Sequence, residues 1–239
     1  IDLPDINDRE EILKIHARNK PLTDDVNIRE IAERTPGFSG ADLENLLNEA
    51  AILAARKDTT KVTQQFILDS IEKVLLGPER KSHIMSKEEK KITAYHEAGH
   101  ALVAHMQEHT DPVHKVSIIS RGRAAGYTLK LPEEDKKLHR RSEYIEDLAV
   151  MLAGHTTEKI IFGEVTTGAS NDLQKATDVA RSLITRYGMS DKLVPRIYGE
   201  KEELVFLGRD ITEKRNYSEK VAEEIDTEID RLITDAVKT

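Results

Sequence analysis

The chain has 239 residues, of which 38% are hydrophobic and only 4% aromatic, and its formal net charge is −8. This acidic balance argues against a nucleic-acid-binding protein, which would present a basic face. The absence of cysteine excludes disulfide bonds and thiolate metal ligands.

No apolar run approaches the roughly 18 residues of a membrane-spanning helix, and no signal peptide is evident. The sequence starts at Ile1 rather than at a methionine. We therefore expect a fragment of a longer protein, with any membrane anchor in the missing part.

The first third of the chain has the apolar spacing of helices. "REEILKIHARN" and "NIREIAERT" are both helical in pattern, and the second ends at Pro36-Gly37. Ser39 and Asp42 then form a capping box that opens a long helix, and "QQFILDSIEKVLLG" predicts another. We predict a helical domain over residues 1–78, followed across the charged linker "GPERKSH" by a second domain over 79–239. The apolar stripe predicted for the long helix comprises Leu43, Leu46, Leu47, Ala50 and Leu53.

The second domain has a mixed pattern. Ser86 and Glu89 form another capping box, which opens a helix. "VHKVSIIS" and "GYTLKLP" alternate at period two and predict strands joined by "RGRAA". Three later segments return to helical periodicity, so we predict a mainly α fold with a small β-sheet. The apolar stripe predicted for the capped helix comprises Ile92, Tyr95, Gly99, Leu102 and Met106, and that of the second strand Tyr127, Leu129 and Leu131.

The capped helix contains a metal-binding pattern. His96, Glu97 and His100 fit H-E-x-x-H, in which histidines four residues apart lie on one helix face and can bind one cation. Glu97 is then the candidate general base for a water activated by the metal. The pattern also arises by chance in a chain with nine histidines. It supplies only two of the three protein ligands of a catalytic zinc site.

Neither familiar source of a third ligand is present. The metzincin position is Met106, and His105 lies about 180° round the helix from His96. Residues 112–132, where a gluzincin carries its glutamate, contain no acidic residue.

Asp172 in "TTGASNDLQKAT" is the best remaining candidate. It falls in the first turn of a predicted helix that Ser170 or Asn171 can cap. Aspartate is also favoured there by the helix dipole without any chemical role. The apolar stripe predicted for this helix comprises Leu173, Ala176, Ala180, Leu183 and Tyr187, and the competing ligands are His109, His114, His139 and His155.

"HEAGHALVA" and "TTGASNDLQKAT" together resemble the membrane-anchored AAA metalloproteases of the FtsH family. "PGFSGADLENLLNEAA" is similar to the helical lid of their ATPase module, and "FLGRDI" and "NYSEKVAEEID" also match. The resemblance covers essentially the whole chain. It implies an AAA C-terminal helical lid subdomain over 1–78 and a mostly α-helical zinc peptidase domain over 79–239.

By this resemblance the third ligand is Asp172, so that His96, His100 and Asp172 hold Zn²⁺ and Glu97 is the general base. The resemblance also implies that His16, Gly40 and Ala41 approach the adenine of a bound nucleotide. From the residues alone, these last three are ordinary positions on a helix surface or in a first helical turn.

The resemblance further implies an ATP-dependent zinc endopeptidase that processively degrades unfolded, misfolded or membrane proteins. Such an enzyme is a homo-hexamer that uses ATP and Mg²⁺. It is anchored by an N-terminal segment with its domains facing the cytoplasm, at the bacterial inner membrane; we expect this fragment itself to be soluble. No G-x-x-x-x-G-K-[ST] occurs in the sequence, so we do not expect this chain alone to hydrolyse ATP.

Two other interpretations remain at this stage. One is a non-catalytic module that forms a ring, and the other is a zinc hydrolase acting on something other than peptides. The strand in "AGYTLKLP" is either an edge that pairs with an extended substrate or an ordinary hairpin strand.

Overall fold

The computed structural model describes residues 3–78, 85–120, 125–132, 136, 138–201, 213–214 and 216–239. Over these residues the chain forms eight α-helices and two antiparallel two-stranded sheets, which confirms the mainly α prediction. None of the described helices has the length and apolarity that crossing a bilayer requires. The elements are α1 (Ile6–Ala17), α2 (Ile28–Glu33), α3 (Gly40–Arg56), α4 (Gln64–Leu76), α5 (Lys87–Met106), β1 (Val113–Ser117), β2 (Tyr127–Lys130), α6 (Arg141–Phe162), a 3₁₀ turn (Thr167–Ala169), α7 (Ser170–Thr185), β3 (Glu200–Lys201), β4 (Glu213–Lys214) and α8 (Glu219–Lys238).

The chain divides into two compact units. The first unit comprises residues 1–94 and 111–137, and the second comprises residues 95–110 and 138–239. The division falls inside α5, whose first part belongs to the first unit and whose second part belongs to the second. The boundary expected between residues 78 and 79 stays a prediction.

Helices α1 to α4 enclose the core of the first unit. The capping box predicted for α3 is present: Ser39 Oγ accepts from the Asp42 N–H, and the Asp42 carboxylate accepts from the Ser39 N–H. Arg9 is buried and donates to the carbonyl oxygens of Ala32 and Pro4, so its charge stabilises the C-terminal end of α2. The core residues are Leu13, Ile31, Ala32, Phe38, Leu43, Leu46, Leu47, Ala50, Ala54, Val62, Ile67 and Ile71.

Strands β1 and β2 form the predicted antiparallel hairpin of the first unit. Tyr127 and Leu129 are buried as the alternation predicted, while Leu131 follows the end of β2. Glu72 of α4 accepts from Lys115 Nζ at 2.8 Å and from Tyr127 Oη at 3.1 Å. These polar contacts tie the hairpin to α4. Most of the predicted connection "RGRAA" lies outside the described residues.

Helices α6, α7 and α8 enclose the core of the second unit. Of the stripe predicted for α7, the middle is buried, but Leu173 and Tyr187 at its two ends are 38% and 51% exposed. The pairing of β3 with β4 was not predicted, and "FLGRDI" lies outside the described residues. The core residues include Leu148, Leu152, Ala176, Ala180, Leu183, Ile184, Ile225, Ile229 and Leu232.

Candidate metal centre

The buried face of α5 is its histidine face, which differs from the prediction. His96, Glu97, Gly99 and His100 are all buried. Of the predicted apolar stripe, only Gly99 is buried: Tyr95 is 41% exposed, Leu102 63% and Met106 74%. The histidine rings are turned inward because α6 supplies polar partners for them. Hydrophobicity alone therefore identified the wrong face of this helix.

The capping box at the start of α5 is confirmed. The Ser86 N–H donates to Glu89 Oε2 at 2.7 Å, and the Glu89 N–H donates to Ser86 Oγ at 3.1 Å. These two bonds satisfy backbone donors that have no partner within the helix. They define where α5 begins, since Ser86 directly precedes Lys87, the first residue of the helix.

Three ligand atoms converge between α5 and α7. His96 Nε2 lies 3.0 Å from His100 Nε2 and 3.2 Å from Asp172 Oδ2, and His100 Nε2 lies 3.5 Å from Asp172 Oδ2. Metal–ligand bonds of about 2.0–2.2 Å in tetrahedral geometry place ligand atoms roughly 3.3–3.6 Å apart. The nitrogen and oxygen donors suit a zinc ion. The His100–Asp172 separation lies within this range, and the other two separations are slightly shorter than it.

Both imidazoles are oriented through their second ring nitrogen. His96 Nδ1 lies 2.7 Å from Glu158 Oε1, and His100 Nδ1 lies 2.6 Å from the Val150 carbonyl oxygen. Both acceptors belong to α6. With each Nδ1 carrying the hydrogen, each Nε2 is left with a lone pair directed at the convergence point, as a metal-ligating histidine requires.

Asp172 is brought to the histidines by the segment that precedes α7. The other carboxylate oxygen of Glu158 accepts from the Thr166 N–H at 2.7 Å, which fixes the start of the 3₁₀ turn. Asp172 lies in the first turn of α7, as predicted. The expected side-chain cap is absent: α7 starts at Ser170, with Ala169 as its N-cap, because the 3₁₀ turn leads directly into the helix.

The electrostatics of the cluster favour a positive charge between its ligands. Burial raises the pKa of Asp172, but hydrogen bonds from His100 and His96 outweigh burial and leave that pKa far below its ordinary value. Burial lowers the pKa of His96, yet the carboxylates of Asp172 and Glu158 outweigh it and raise that pKa. In the absence of metal, a proton on a histidine Nε2 supplies this positive charge. A divalent cation that binds between the ligands replaces that proton.

Glu97 is buried beside the first of these histidines. Its side chain is 7% exposed, and its charge contributes to the raised pKa of His96. This places an ionisable carboxylate next to the cluster without making it a member, since the metal-binding group contains only His96, His100 and Asp172.

The competing histidines are not members of this group, and one of them, His155, is half-buried in α6. His105 is on the exposed side of α5 and His114 is exposed in β1. His109 pairs with Glu146, and His139 pairs with Glu143. In the part of the chain that the structure describes, His96, His100 and Asp172 form the only group of three or more such side chains that could hold a metal.

The positions proposed for nucleotide contact lie in the first unit. His16 is half-buried in the last turn of α1, Gly40 is the first residue of α3, and Ala41 follows it on the surface. None of them is a member of the metal-binding group formed by His96, His100 and Asp172.

Sequence reasoning missed Glu158 and Val150 of α6, whose oxygen atoms accept from the two histidines. Glu158 is 1% exposed and a charged residue so deeply buried needs a polar partner, but this burial is known only from the structure. The contribution of Val150 is a backbone oxygen, and no side-chain pattern reveals it.

Comparison with known proteins finds matches for both parts of the chain. The sequence model of peptidase family M41 matches residues 83–239, and that of the AAA+ lid domain matches residues 25–69. The "ATP-dependent zinc metalloprotease FtsH 1" of Sphaerobacter thermophilus is 55% identical over 238 residues, which is 100% of this chain and 36% of the relative.

Two further relatives are similar over nearly the whole chain. "ATP-dependent zinc metalloprotease FtsH 1" of Thermoanaerobacter sp. is 53% identical over 238 residues, covering 100% of this chain and 39% of the relative. "ATP-dependent zinc metalloprotease FtsH" of Thermotoga maritima is 52% identical over 235 residues, covering 98% of this chain and 38% of the relative. The chain thus spans between a third and two fifths of these relatives' length. With an H-E-x-x-H helix, a converging aspartate and a family match over most of its length, this chain belongs to peptidase family M41.

Proposed function

We propose that this chain carries the hydrolytic site of an ATP-dependent zinc endopeptidase, with His96, His100 and Asp172 as zinc ligands and Glu97 as general base. The observation that supports this most directly is the convergence of three ligand atoms, from α5 and α7, within 4.8 Å of one another. When bound there, zinc supplies Lewis acidity, which polarises a peptide carbonyl and acidifies water.

The protein groups around the ion have separate tasks. Glu158 and the Val150 carbonyl hold the imidazoles so that both Nε2 atoms keep their lone pairs for the metal. Glu97 accepts the proton of the attacking water on its carboxylate and passes it to the nitrogen of the leaving amine. Because Glu97 is buried, few water molecules compete for that proton.

The proposal for the whole protein rests on the relatives. They are named ATP-dependent zinc metalloproteases, and residues 25–69 match the AAA+ lid. We therefore assign residues 1–78 to the lid, with His16, Gly40 and Ala41 facing the nucleotide, and residues 79–239 to the peptidase. The full protein is a homo-hexamer that uses ATP and Mg²⁺ to degrade unfolded, misfolded or membrane proteins processively. A segment that is not part of this chain anchors the full protein in a membrane, with its domains on the cytoplasmic side.

Zinc content and hydrolysis of unfolded casein, measured on the same preparations, test the assignment of the site. We expect one zinc per chain and cleavage in the wild type. Asp172→Asn loses both because one ligand becomes a neutral amide. Glu97→Gln keeps zinc but loses about 10²–10⁴-fold in kcat, since it lacks a proton acceptor.

His105→Ala is the matched control, because it removes an exposed histidine from the same helix. It should keep both zinc and activity. Zinc retained by Asp172→Asn but lost by His105→Ala would overturn the ligand assignment. Zinc binding without cleavage of any unfolded protein would contradict the peptidase and favour a hydrolase with other substrates.

A further inference from the structure

Helix α6 presents a row of three positions to the two histidine ligands. Val150, Gly154 and Glu158 follow one another at intervals of four residues, so they lie on one face of the helix. The outer two positions hold the rings, Val150 through its carbonyl oxygen to His100 and Glu158 through its carboxylate to His96. The middle position has no side chain.

The space beside Gly154 is occupied by the ligand atoms themselves. A Cβ atom there would lie 2.4 Å from His96 Nε2, 2.5 Å from His96 Cε1 and 2.6 Å from His100 Nε2. Real Cβ atoms essentially never approach other atoms closer than 3.0 Å. Even the smallest side chain would therefore displace both coordinating nitrogens from their observed positions.

Backbone conformation does not explain the glycine. Gly154 lies inside α6 and is not among the glycines with positive φ, so an alanine could adopt its backbone angles. In a helix interior, alanine is more favourable than glycine. The glycine is thus unfavourable for the helix and needed only for what packs against it.

The missing side chain also leaves the Val150 carbonyl accessible. A side chain on a helix lies over the turn that precedes its own Cα, so a residue at position 154 would cover the carbonyl four residues earlier. His100 Nδ1 reaches that oxygen at 2.6 Å. The absence of a side chain at position 154 therefore has two effects. It leaves space for both histidine rings, and it leaves the Val150 carbonyl oxygen open to His100.

We propose that Gly154 is a positioning residue of the metal centre: it sets the separation of the two histidine nitrogens by admitting both rings against the α6 backbone. The metal-binding consequence rests on the zinc site proposed above. The steric conflict between a side chain at position 154 and the two histidine rings does not depend on that zinc site, because it involves only protein atoms.

Gly99 of α5 provides a matched comparison. A Cβ there would lie 2.2 Å from Thr157 Oγ1 and 3.0 Å from the Ala153 carbonyl oxygen, with no ligand atom among its nearest neighbours. Both glycines are buried and both permit close packing of α5 on α6. They differ in that only Gly154 faces the ligand nitrogens.

A thermal-unfolding cycle on metal-free protein tests the ring contact. In the wild-type background, we expect both Gly154→Ala and Gly99→Ala to lower the Tm. In a His96→Ala/His100→Ala background the rings that obstruct a side chain at position 154 are gone, so Gly154→Ala should raise the Tm through its better helix propensity. Gly99→Ala should still lower it, because Thr157 remains. A Gly154→Ala substitution that lowers the Tm equally in both backgrounds would overturn the proposal.

Metal affinity, measured by chelator competition and by the absorption spectrum of the Co²⁺ form, tests the consequence. We expect Gly154→Ala to bind metal about 10–100-fold more weakly than the wild type, with an altered Co²⁺ spectrum. Leu232→Ala, a core substitution on α8, should lower the Tm yet keep wild-type affinity. Wild-type affinity in Gly154→Ala would refute the positioning role. Absence of metal from the wild type would instead contradict the proposed function, leaving the unfolding cycle to decide on Gly154.

Discussion

The carboxylate of Glu158 accepts two hydrogen bonds from different parts of the second unit. One oxygen pairs with His96 Nδ1 at 2.7 Å and the other accepts from the Thr166 N–H at 2.7 Å. The residue is 1% exposed, so water cannot take the place of either partner. A single side chain thus fixes both the ring of one ligand and the segment that leads to Asp172.

Replacing Glu158 with glutamine is expected to weaken zinc binding by about 10–100-fold. Glutamine has one acceptor oxygen for two donors, and its amide NH₂ would face a donor. Chelator competition measures the loss. Glu164→Gln, an exposed change just after α6, is the control and should have no effect. Equal zinc affinities for Glu158→Gln and Glu164→Gln would show that Glu158 does not support the ligand.

At the residue scale the sequence predicted which three side chains could form a metal-binding group, but not the groups that orient them. His96 and His100 follow from a spacing within one helix, and the position of Asp172 at the start of a predicted helix makes it a candidate third ligand. Glu158 and Gly154 act across a helix–helix contact. Such contacts depend on how two helices pack, which local spacing does not encode.

At the scale of elements, one acidic side chain of α6, Glu146, binds the segment that directly follows α5. Glu146 accepts the His109 N–H at 2.7 Å on one oxygen, and its other oxygen lies 2.7 Å from His109 Nδ1. Thr110 Oγ1 donates to the Ala104 carbonyl, one of the last in α5. The hydrogen bond to Glu146 raises the pKa of His109 against the effect of burial, with further contributions from Glu108 and Glu143.

This pair makes the stability of the second unit pH-dependent. A raised pKa means that the folded protein holds the proton more tightly than the unfolded chain does. The stabilisation is therefore complete below the ordinary value of 6.5 and is lost as pH rises through the higher folded value. We expect the free energy of unfolding of the wild type to exceed that of His109→Gln most at about pH 6, with the difference shrinking towards about pH 9.

Urea denaturation followed by far-UV circular dichroism measures the free energy of unfolding of both proteins at each pH. Subtracting the value of the variant from that of the wild type cancels the contributions of groups that titrate in the same way in both proteins. Glu146→Gln should remove the same pH-dependent part, and the double variant should lose no more of it than either single variant. A wild-type advantage that is constant with pH would contradict an ionic contribution.

The elements themselves were largely predictable, because their ends are encoded locally. The boxes Ser39–Asp42 and Ser86–Glu89 mark the starts of α3 and α5, and both are present. The inward face of α5 was predicted wrongly, because its polar side chains have partners on α6. The N-terminus of α7 differs because a 3₁₀ turn replaces the side-chain cap.

At the scale of the whole molecule, the chain enters each unit twice, and all the proposed zinc ligands belong to the second unit. Segment 111–137 returns to the first unit, where Lys115 and Tyr127 contact Glu72 over separations of 43 and 55 residues. Contacts so distant in sequence leave no periodic pattern. The boundary expected between residues 78 and 79 was inferred from composition and from a charged linker, which carry no information on such contacts, and it stays a prediction.

Removal of the metal should destabilise only the second unit. A ligand present at about 1,000 times its Kd stabilises the folded state by about 4 kcal/mol. We therefore expect chelation to increase amide hydrogen exchange in α6 and α7 but not in α3 and α4, as measured by mass spectrometry. His96→Ala, which lacks a ligand, should not respond to the chelator. An equal increase in both units would contradict a site confined to the second.

The distance along the chain between the histidines and Asp172 also orders events during synthesis. His96 and Asp172 are 76 residues apart. At roughly 5–20 residues per second, the aspartate leaves the ribosome about 4–15 s after the histidine. A nascent chain thus presents two of the three proposed ligands first. The third ligand and the α6 groups that orient the histidines become available only later. Completion of the proposed site therefore requires synthesis at least through the start of α7, and a chain on a ribosome stalled before α7 lacks one of the three proposed ligands.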